Sequence, residues 1–380
     1  MNKADAWWYA HGAGHDPGPS PFRGRLRADG RRLVYPDGAR FHWRGLSAFR
    51  LLQFIAIDRP DVSEAYCAWA RAHGVSILRV FAMCRNLFTL TPAAGMVALP
   101  ALLRMAERHG LYLEVVALVD TATQDGDLEL ALNIIAAICD QHDNANLLGA
   151  NEPRHRTQDP RVVEWIKSLR PGTTGAPYAY GAAHGSDDES REFTGGDFVT
   201  VHFDRQDGDG GWRHVRHVRE GEGLSADVGK FVVDVEPIGA GETFISGKRE
   251  SDPAKWYAKG VLARIFSLGA TFHYEGGLLA VIPSGNQLAC FTAWMAGLRA
   301  IPDDFAGAFK NAGWADSPVH GFDTSAAVRV YSAVAGTFGW TCSVGVTRDP
   351  MIRWGNGWQP VGTILQHPGV MLQQIQRIRE

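Results

Sequence analysis

Ala145-Asn-Leu-Leu-Gly-Ala150 followed by Asn151-Glu152-Pro153, and Lys230-Phe-Val-Val-Asp-Val235 followed by Glu236-Pro237, share one construction. Each is a short, nearly continuous apolar run that ends in a glutamate and then a proline. A strand buried on both faces reads as such a run, because neither face can afford alternating polar residues. The residue before a proline is pushed toward extended backbone, so each glutamate is predicted to project from the terminus of a buried strand.

Outward from these two runs, the same kind of segment recurs at Phe41–Ser47, Val75–Phe81, Leu111–Val119, Ala176–Tyr180, Phe198–Phe203 and Ala270–Tyr274, making eight in all. Between most of them lie stretches with the 3.6-residue period of amphipathic helices: Val62–His73, Val97–His109, Leu128–Gln141, Val162–Leu169, Pro253–Ser267 and Gln287–Arg299. Strand and helix alternating at these lengths predict parallel βα units, and eight of them close most naturally into a (β/α)8 barrel of the TIM type. A doubly wound open sheet is the other architecture that such alternation allows. It lacks support here, because no GxGxxG or GxxxxGK[ST] loop follows the first strand.

The flanks read differently. Residues 1–22 are rich in Gly, Pro, His and Trp without a period and read as an extended arm. The Asp-Gly pairs at 29–30 and 37–38 separate short alternating segments, the signal of hairpin turns, so a small β-hairpin unit is expected over 1–40. The barrel is expected over 41–302. Over 303–380, Ala327–Tyr331, Phe338–Val346 and Trp358–Val361 alternate with Gly, Asp and Asn turns, which predicts a small β-rich accessory domain without helices. Its Trp340, Trp354 and Trp358 are candidates either for stacking on sugars or for the core of that sheet.

Composition narrows the function classes. In a chain of 380 residues, 45% of them hydrophobic, a large core can be buried. With 38 basic and 41 acidic side chains the formal charge is -3, which offers no broad attraction to a nucleic-acid backbone. The five cysteines, Cys67, Cys84, Cys139, Cys290 and Cys342, are odd in number and widely spaced, so they read as buried thiols in a reducing compartment rather than as a disulfide framework or zinc site. The N-terminus lacks the apolar stretch of a secretory signal, and no run reaches the roughly eighteen apolar residues of a membrane span. A cytoplasmic protein, or one released without such a signal, is expected.

In a (β/α)8 barrel the chemistry sits at the carboxyl ends of the strands. Arg79 falls there on the second run, Asp120 just past the third, Asn151 and Glu152 on the fourth, His202 on the sixth, Glu236 on the seventh, and His273, Tyr274 and Glu275 on the eighth. Two carboxyl groups facing each other across such a rim are the requirement for glycosidic bond cleavage: one protonated to donate to the leaving oxygen, one ionised to attack the anomeric carbon. On these residues, and over roughly residues 24–302, the chain resembles the retaining glycoside hydrolases of clan A, in the cellulase and β-mannanase-like (family 5-like) branch. The resemblance implies that Glu152 is the acid/base and Glu236 the nucleophile, that a β-linked carbohydrate is the substrate, and that no cofactor or metal is needed. Arg79 beside the seventh-strand carboxylate would favour its ionised form, whereas the neutral Asn151 lets Glu152 keep its proton. Asn151 is expected on the sugar 2-hydroxyl and His202 and His273 as positioning groups.

The chain also departs from the pattern of that branch. The sixth-strand run Val201-His202-Phe203-Asp204-Arg205 has no tyrosine to steady the nucleophile, and the eighth carries Thr271-Phe-His-Tyr-Glu-Gly-Gly277 where many members place a tryptophan. Stacking is therefore expected from Tyr274 or Trp212, or else hydrogen bonds from His273 and Glu275. The rival class is a barrel that binds glycans without cleaving them, as in an adhesion or phage-particle component.

Weaker patterns have plainer readings. His214-Val-Arg-His217 among Arg213, Arg216 and Arg219 reads as a solvated basic face rather than a zinc site. Asp207-Gly-Asp-Gly210 lacks the later glutamate of a calcium loop, and His11 and His15 have no third ligand in view. The long segments 182–196 and 204–224 are candidates for walls of a cleft. Asp234, two residues before Glu236, is expected to point into the barrel as half of a structural ion pair.

Overall fold

The computed structural model describes residues 22–169, 175–184, 191–202, 221, 223–237, 239–240 and 249–300, and six strands between 319 and 377. Eight parallel strands close into a barrel: β3 (Arg44–Ser47), β4 (Ile77–Phe81), β5 (Tyr112–Leu118), β6 (Ala145–Asn151), β7 (Tyr178–His184), β8 (Val199–His202), β9 (Val232–Asp234) and β10 (Gly269–Phe272), with β10 pairing back onto β3. All five residues of β4 and all seven of β5 are buried, as strands covered on one face by the barrel interior and on the other by helices must be. Before the barrel, β1 (Arg27–Asp29) and β2 (Arg32–Val34) form the hairpin expected at the first Asp-Gly pair, with Gly30 at φ 55.

Between the strands run α1 (Leu51–Ala56), α2 (Pro60–Ala72), α3 (Pro92–Arg108), α4 (Leu128–Asp140), α5 (Val162–Ser168), α6 (Pro253–Phe266), α7 (Glu275–Leu278) and α8 (Gly285–Arg299). Sequence-encoded caps set several starts. The side chains of Thr91, Asp127 and Asp252 accept hydrogen bonds from the amides of Ala94, Leu130 and Ala254, and proline occupies the first turn of α3 and α6. The short α1 and α7 have no counterpart in the sequence reading, because one or two turns give too few residues to display a period.

Where α6 crosses α8, two glycines let the backbones touch. A Cβ on Gly297 would lie 2.1 Å from the Tyr257 carbonyl oxygen, and one on Gly260 would lie 2.4 Å from that of Trp294. Neither backbone oxygen can move aside cheaply. Gly297→Ala is therefore expected to destabilise the protein by about 3 kcal/mol, as over-packing does, and to lower the midpoint of thermal unfolding by roughly 5–10 °C in a calorimetric scan.

The amino end of the barrel is closed by aromatic rings. Trp43, just ahead of β3, packs against Phe41, Phe198 and Phe231 at centroid distances of 6.3, 5.8 and 6.3 Å, and its indole N–H donates to Thr271 Oγ1 at 3.2 Å. With this end sealed, small molecules meet the barrel interior from the carboxyl ends of the strands. Farther along the chain, β11 (Val328–Tyr331), β12 (Phe338–Val344), β13 (Trp358–His367) and β14 (Val370–Arg377) form an antiparallel sheet in the order β11-β12-β14-β13. The side chains of Trp340, Trp354 and Trp358 lie outside the described residues.

Candidate active site

Strand geometry brings Arg79, Asn151, Glu152, His202 and Glu236 together at the carboxyl end of the barrel. Arg79 is the centre of the group and is 1% exposed. Its Nη1 donates to Glu236 Oε1 in a short contact, and its Nη2 donates to Asn151 Oδ1 at 2.7 Å. The guanidinium is held flat from one side by Phe49 and Phe81, whose rings stack at 3.9 Å; its carbon lies 5.3 and 5.7 Å from their centroids. A cation fixed against Glu236 favours the ionised form of that carboxyl.

His202, at the end of β8, stands between the two glutamates. Its Nδ1 shares a hydrogen bond of 2.9 Å with Glu152 Oε1, and its Nε2 is 3.8 Å from Glu236 Oε1. One carboxylate oxygen from each glutamate and one imidazole nitrogen all lie within 4.8 Å of one another. A metal ion could bridge such a group, but the guanidinium already places positive charge against Glu236. The carboxyl groups are accessible yet sheltered: the side chain of Glu152 is 12% exposed and that of Glu236 6%.

The backbone at Glu152 differs from the sequence expectation. Strand β6 continues through Asn151, and Glu152 then adopts the left-handed region at φ 45 instead of extended backbone. For a side chain other than glycine this costs roughly 1–3 kcal/mol and persists only where the surroundings enforce it. The enforcement is visible in three places. The carboxylate is held by His202, the carbonyl accepts the amide of His155 at 2.8 Å, and Pro153 packs over Gly181, where a Cβ would come within 2.4 Å of the proline Cγ.

Other expected residues are nearby with different partners. His273 is 1% exposed; its Nδ1 hydrogen-bonds Ser47 Oγ at 2.8 Å, and its ring tilts against Phe49 at 5.7 Å. Asp120, also left-handed at φ 54, accepts the amides of Arg85 and Asn86 at 3.4 and 3.1 Å and faces the Cys84 thiol, so it anchors the loop after β4 rather than reaching the glutamates. Glu275 opens α7 and is half-buried.

Two expectations need correction. Tyr274, predicted at the sugar, is fully buried between barrel and helices; its hydroxyl donates to the Val281 carbonyl at 2.7 Å and shares a 2.7 Å hydrogen bond with Tyr66. It follows Phe272, which packs on Trp256 of α6, so alternation carries both outward. Asp234 also faces outward. It pairs in register with Val201 and Ala270, and it lines a cavity of about 20 Å³ with Trp256 and the buried Lys259, whose amine burial pushes down to about 8. Parity with Glu236 fails because β9 ends at Asp234 and the chain bends at Glu236. Trp212, His214, His217 and the Asp207–Gly210 stretch lie outside the described residues.

Glu114, absent from the sequence-derived site, belongs to it. It is fully buried on β5, with its Oε2 3.3 Å from Arg79 Nε. Burial raises its carboxyl to about 7; the charge of Glu236 adds to the rise and Arg79 opposes it. The folded chain thus holds this proton more tightly than the unfolded one, and the carboxyl's contribution to stability falls as pH climbs from 4.5 to about 7. Its signal in the sequence is a lone charge inside Leu111–Val119.

Among the described residues, Cys67, Cys84, Cys139 and Cys290 are free and buried, and no helix is long and apolar enough to cross a membrane. No family model matches the chain, and no curated protein matches it in sequence. Solved structures do match its fold. A glycoside hydrolase aligns with TM-score 0.60 at 12% identity over 94% of this chain and 98% of its own. A family 5 glycoside hydrolase from Bacteroides vulgatus aligns with TM-score 0.62 at 12% identity over 94% of each chain. A family 5 mannosidase from Rhizomucor miehei aligns with TM-score 0.52 at 13% identity over 74% of this chain and 98% of its own. The barrel fold of this chain is thus one it shares with glycoside hydrolases of family 5.

Proposed function

We propose that the protein is a glycoside hydrolase that cleaves a β-linked oligo- or polysaccharide with retention of configuration. Glu236 attacks the anomeric carbon while Glu152 protonates the departing oxygen. Water, deprotonated by Glu152, then releases the sugar from the glycosyl-enzyme ester. The observation that carries this reading is that one oxygen of the Glu152 carboxylate and one of the Glu236 carboxylate lie within 4.8 Å of each other. Retaining enzymes keep the pair about 5–5.5 Å apart, whereas inverting ones need about 6.5–9.5 Å to admit a water. The roles follow from charge: Glu236 lies against a cation, and Glu152 lies on an imidazole that can take and return a proton during the two steps. Asn151, held by Arg79, is the candidate partner of the sugar 2-hydroxyl, with His273 and Glu275 as further polar groups at the rim.

The direct test is proton NMR of the reaction with aryl β-glycosides and β-linked glycans, manno-configured ones included. First appearance of the β-anomer supports retention, and first appearance of the α-anomer overturns it. A wild type that binds a glycan but never cleaves it moves the protein to the binding-barrel class. The acid/base role has its own signature. Glu152→Ala is expected to slow cleavage of a substrate with a poor leaving group by about 10²–10⁴-fold. An activated dinitrophenyl glycoside, which leaves without a proton, should form the ester at a nearly normal rate, and added azide should speed turnover by replacing the water. Equal loss on both substrates would remove Glu152 from that role.

A further inference from the structure

A charge inside the barrel needs a reason, and Glu114 has one only through Arg79. The two residues stand opposite each other in register on β5 and β4, and Asn146 continues the row on β6. The 3.3 Å approach of Arg79 Nε to Glu114 Oε2 is an ion-pair distance but not aligned as a hydrogen bond. Among the described residues, both oxygens of Glu114 and both amide atoms of Asn146 are buried without a hydrogen-bond partner. The arginine therefore spends Nη1 on Glu236, Nη2 on Asn151, and turns Nε toward a carboxyl that is near without being engaged.

We propose that Glu114 is a positioning residue for the nucleophile: it braces Arg79 from inside the barrel and becomes its counter-ion whenever Glu236 carries no charge. The inference rests on the assignment of Glu236 as nucleophile. One cation between two buried carboxyls supports one negative charge well and two poorly. While Glu236 is ionised, Glu114 keeps its proton, in line with its rise to about 7. When the Glu236 oxygen bonds to the anomeric carbon, the leaving oxygen departs with the proton of Glu152 and the carboxylate becomes a neutral ester. Arg79 then loses the carboxylate that its Nη1 contacted, the negative charge having moved to Glu152 beside His202. The charge of Glu236, one of the two causes that raised Glu114, has gone; the O–H bond of Glu114 ionises more readily, its proton passes to bulk water, and the Arg79 charge is matched again from below. The charged groups that face Glu114 are Arg79 from β4 and Glu236 from beyond β9; Asn146, facing it from β6, is neutral.

The test is a carboxyl titration by carbon-13 NMR of glutamate-labelled protein, in wild type, Glu236→Gln and Glu114→Gln, the last assigning the resonance. Glutamine at 236 mimics the uncharged ester. Glu114 is expected to titrate near 7 in wild type and at least about one unit lower in Glu236→Gln. An equal or higher midpoint there overturns the proposal. Should Glu114→Gln fail to fold, the titration with and without Glu236→Gln is repeated in a Glu152→Gln background, which removes the other glutamate beside Glu236 from the spectrum, so that the resonance that titrates highest and moves is Glu114. In kinetics, Glu114→Gln should lower kcat roughly ten- to hundredfold with KM little changed, and erase an ionisation near neutrality from the pH profile. A proportional loss at every pH would mark a merely structural role and also overturn it. These readouts separate two failures. A wild type that cleaves no glycoside, with the titration shift present, would sink the hydrolase reading and with it the nucleophile that Glu114 serves; an active wild type without the shift would sink the proposal alone.

Discussion

Glu236→Gln is expected to fold like the wild type and to lose turnover by on the order of 10⁴–10⁶-fold, because an amide cannot form the ester on which both chemical steps depend. The substitution is nearly isosteric. Its amide can still sit against Arg79 and His202, so the thermal midpoint should change little and glycan binding should survive. Stopped reactions followed by mass spectrometry provide the check. Wild type with a slow 2-fluoro glycoside should gain the mass of one sugar on the peptide that carries Glu236, and Glu236→Gln should gain none. If the label falls on Glu275 instead, the nucleophile has been misassigned, since that half-buried residue is the other carboxyl next to the eighth strand.

Arg79→Met is expected to damage stability and chemistry together. The arginine is the shared partner of Glu236, Asn151 and Glu114, and it is 1% exposed. Removing one partner from a buried ionic group typically costs about 3–5 kcal/mol, because the charge left behind has neither water nor counter-ion. The pH dependence has a definite sign. Without the cation, burial raises the folded-state proton affinity of both glutamates, so each proton is held more tightly in the folded chain than in the unfolded one. The stability deficit should then be small near pH 4, where both states are protonated, and grow as pH rises toward 8. Urea unfolding at these two pH values measures it; a deficit independent of pH would show that the loss is one of packing alone. Activity should fall as well, because a protonated Glu236 is a far weaker nucleophile than the carboxylate. Lysine would not rescue it, since a single ammonium cannot present three donors in the plane that Arg79 uses.

Much of this arrangement was legible in the sequence, and for physical reasons. All eight apolar runs became barrel strands, with ends displaced by a few residues, because a strand buried on both faces leaves little else for its sequence to encode. The helices over 128–140 and 253–266 begin where the periodicity places them, whereas those over 60–72 and 92–108 begin two and five residues before Val62 and Val97, at prolines that set the first turn ahead of the apolar period. The rim residues were found by position, since a polar residue that ends an apolar run has to face the barrel mouth or a helix end. That rule has a limit at residues 234, 236 and 274. Alternation carries Asp234 and Tyr274 outward to the helices with the parity of their strands, but it is lost at the first bend, where Glu236 swings to Arg79. Glu114 is illegible for the opposite reason: it lies mid-strand, below the rim, and its place in the site depends on a neighbour that the closed barrel supplies. Strand β14, Val370–Arg377, is likewise illegible in the sequence, its apolar residues being diluted by glutamines.

The left-handed backbone at Glu152 bears on which class the protein belongs to. Glycine would sit at that position without strain, so random substitution toward glycine relaxes the fold while destroying the carboxylate. Asp120 shows that such a backbone can serve a loop alone, so the strain at Glu152 acquires a chemical meaning only through the proposed acid/base role. On that reading Glu152→Gly is expected to gain stability and lose cleavage together, a stability-for-activity exchange centred on one residue.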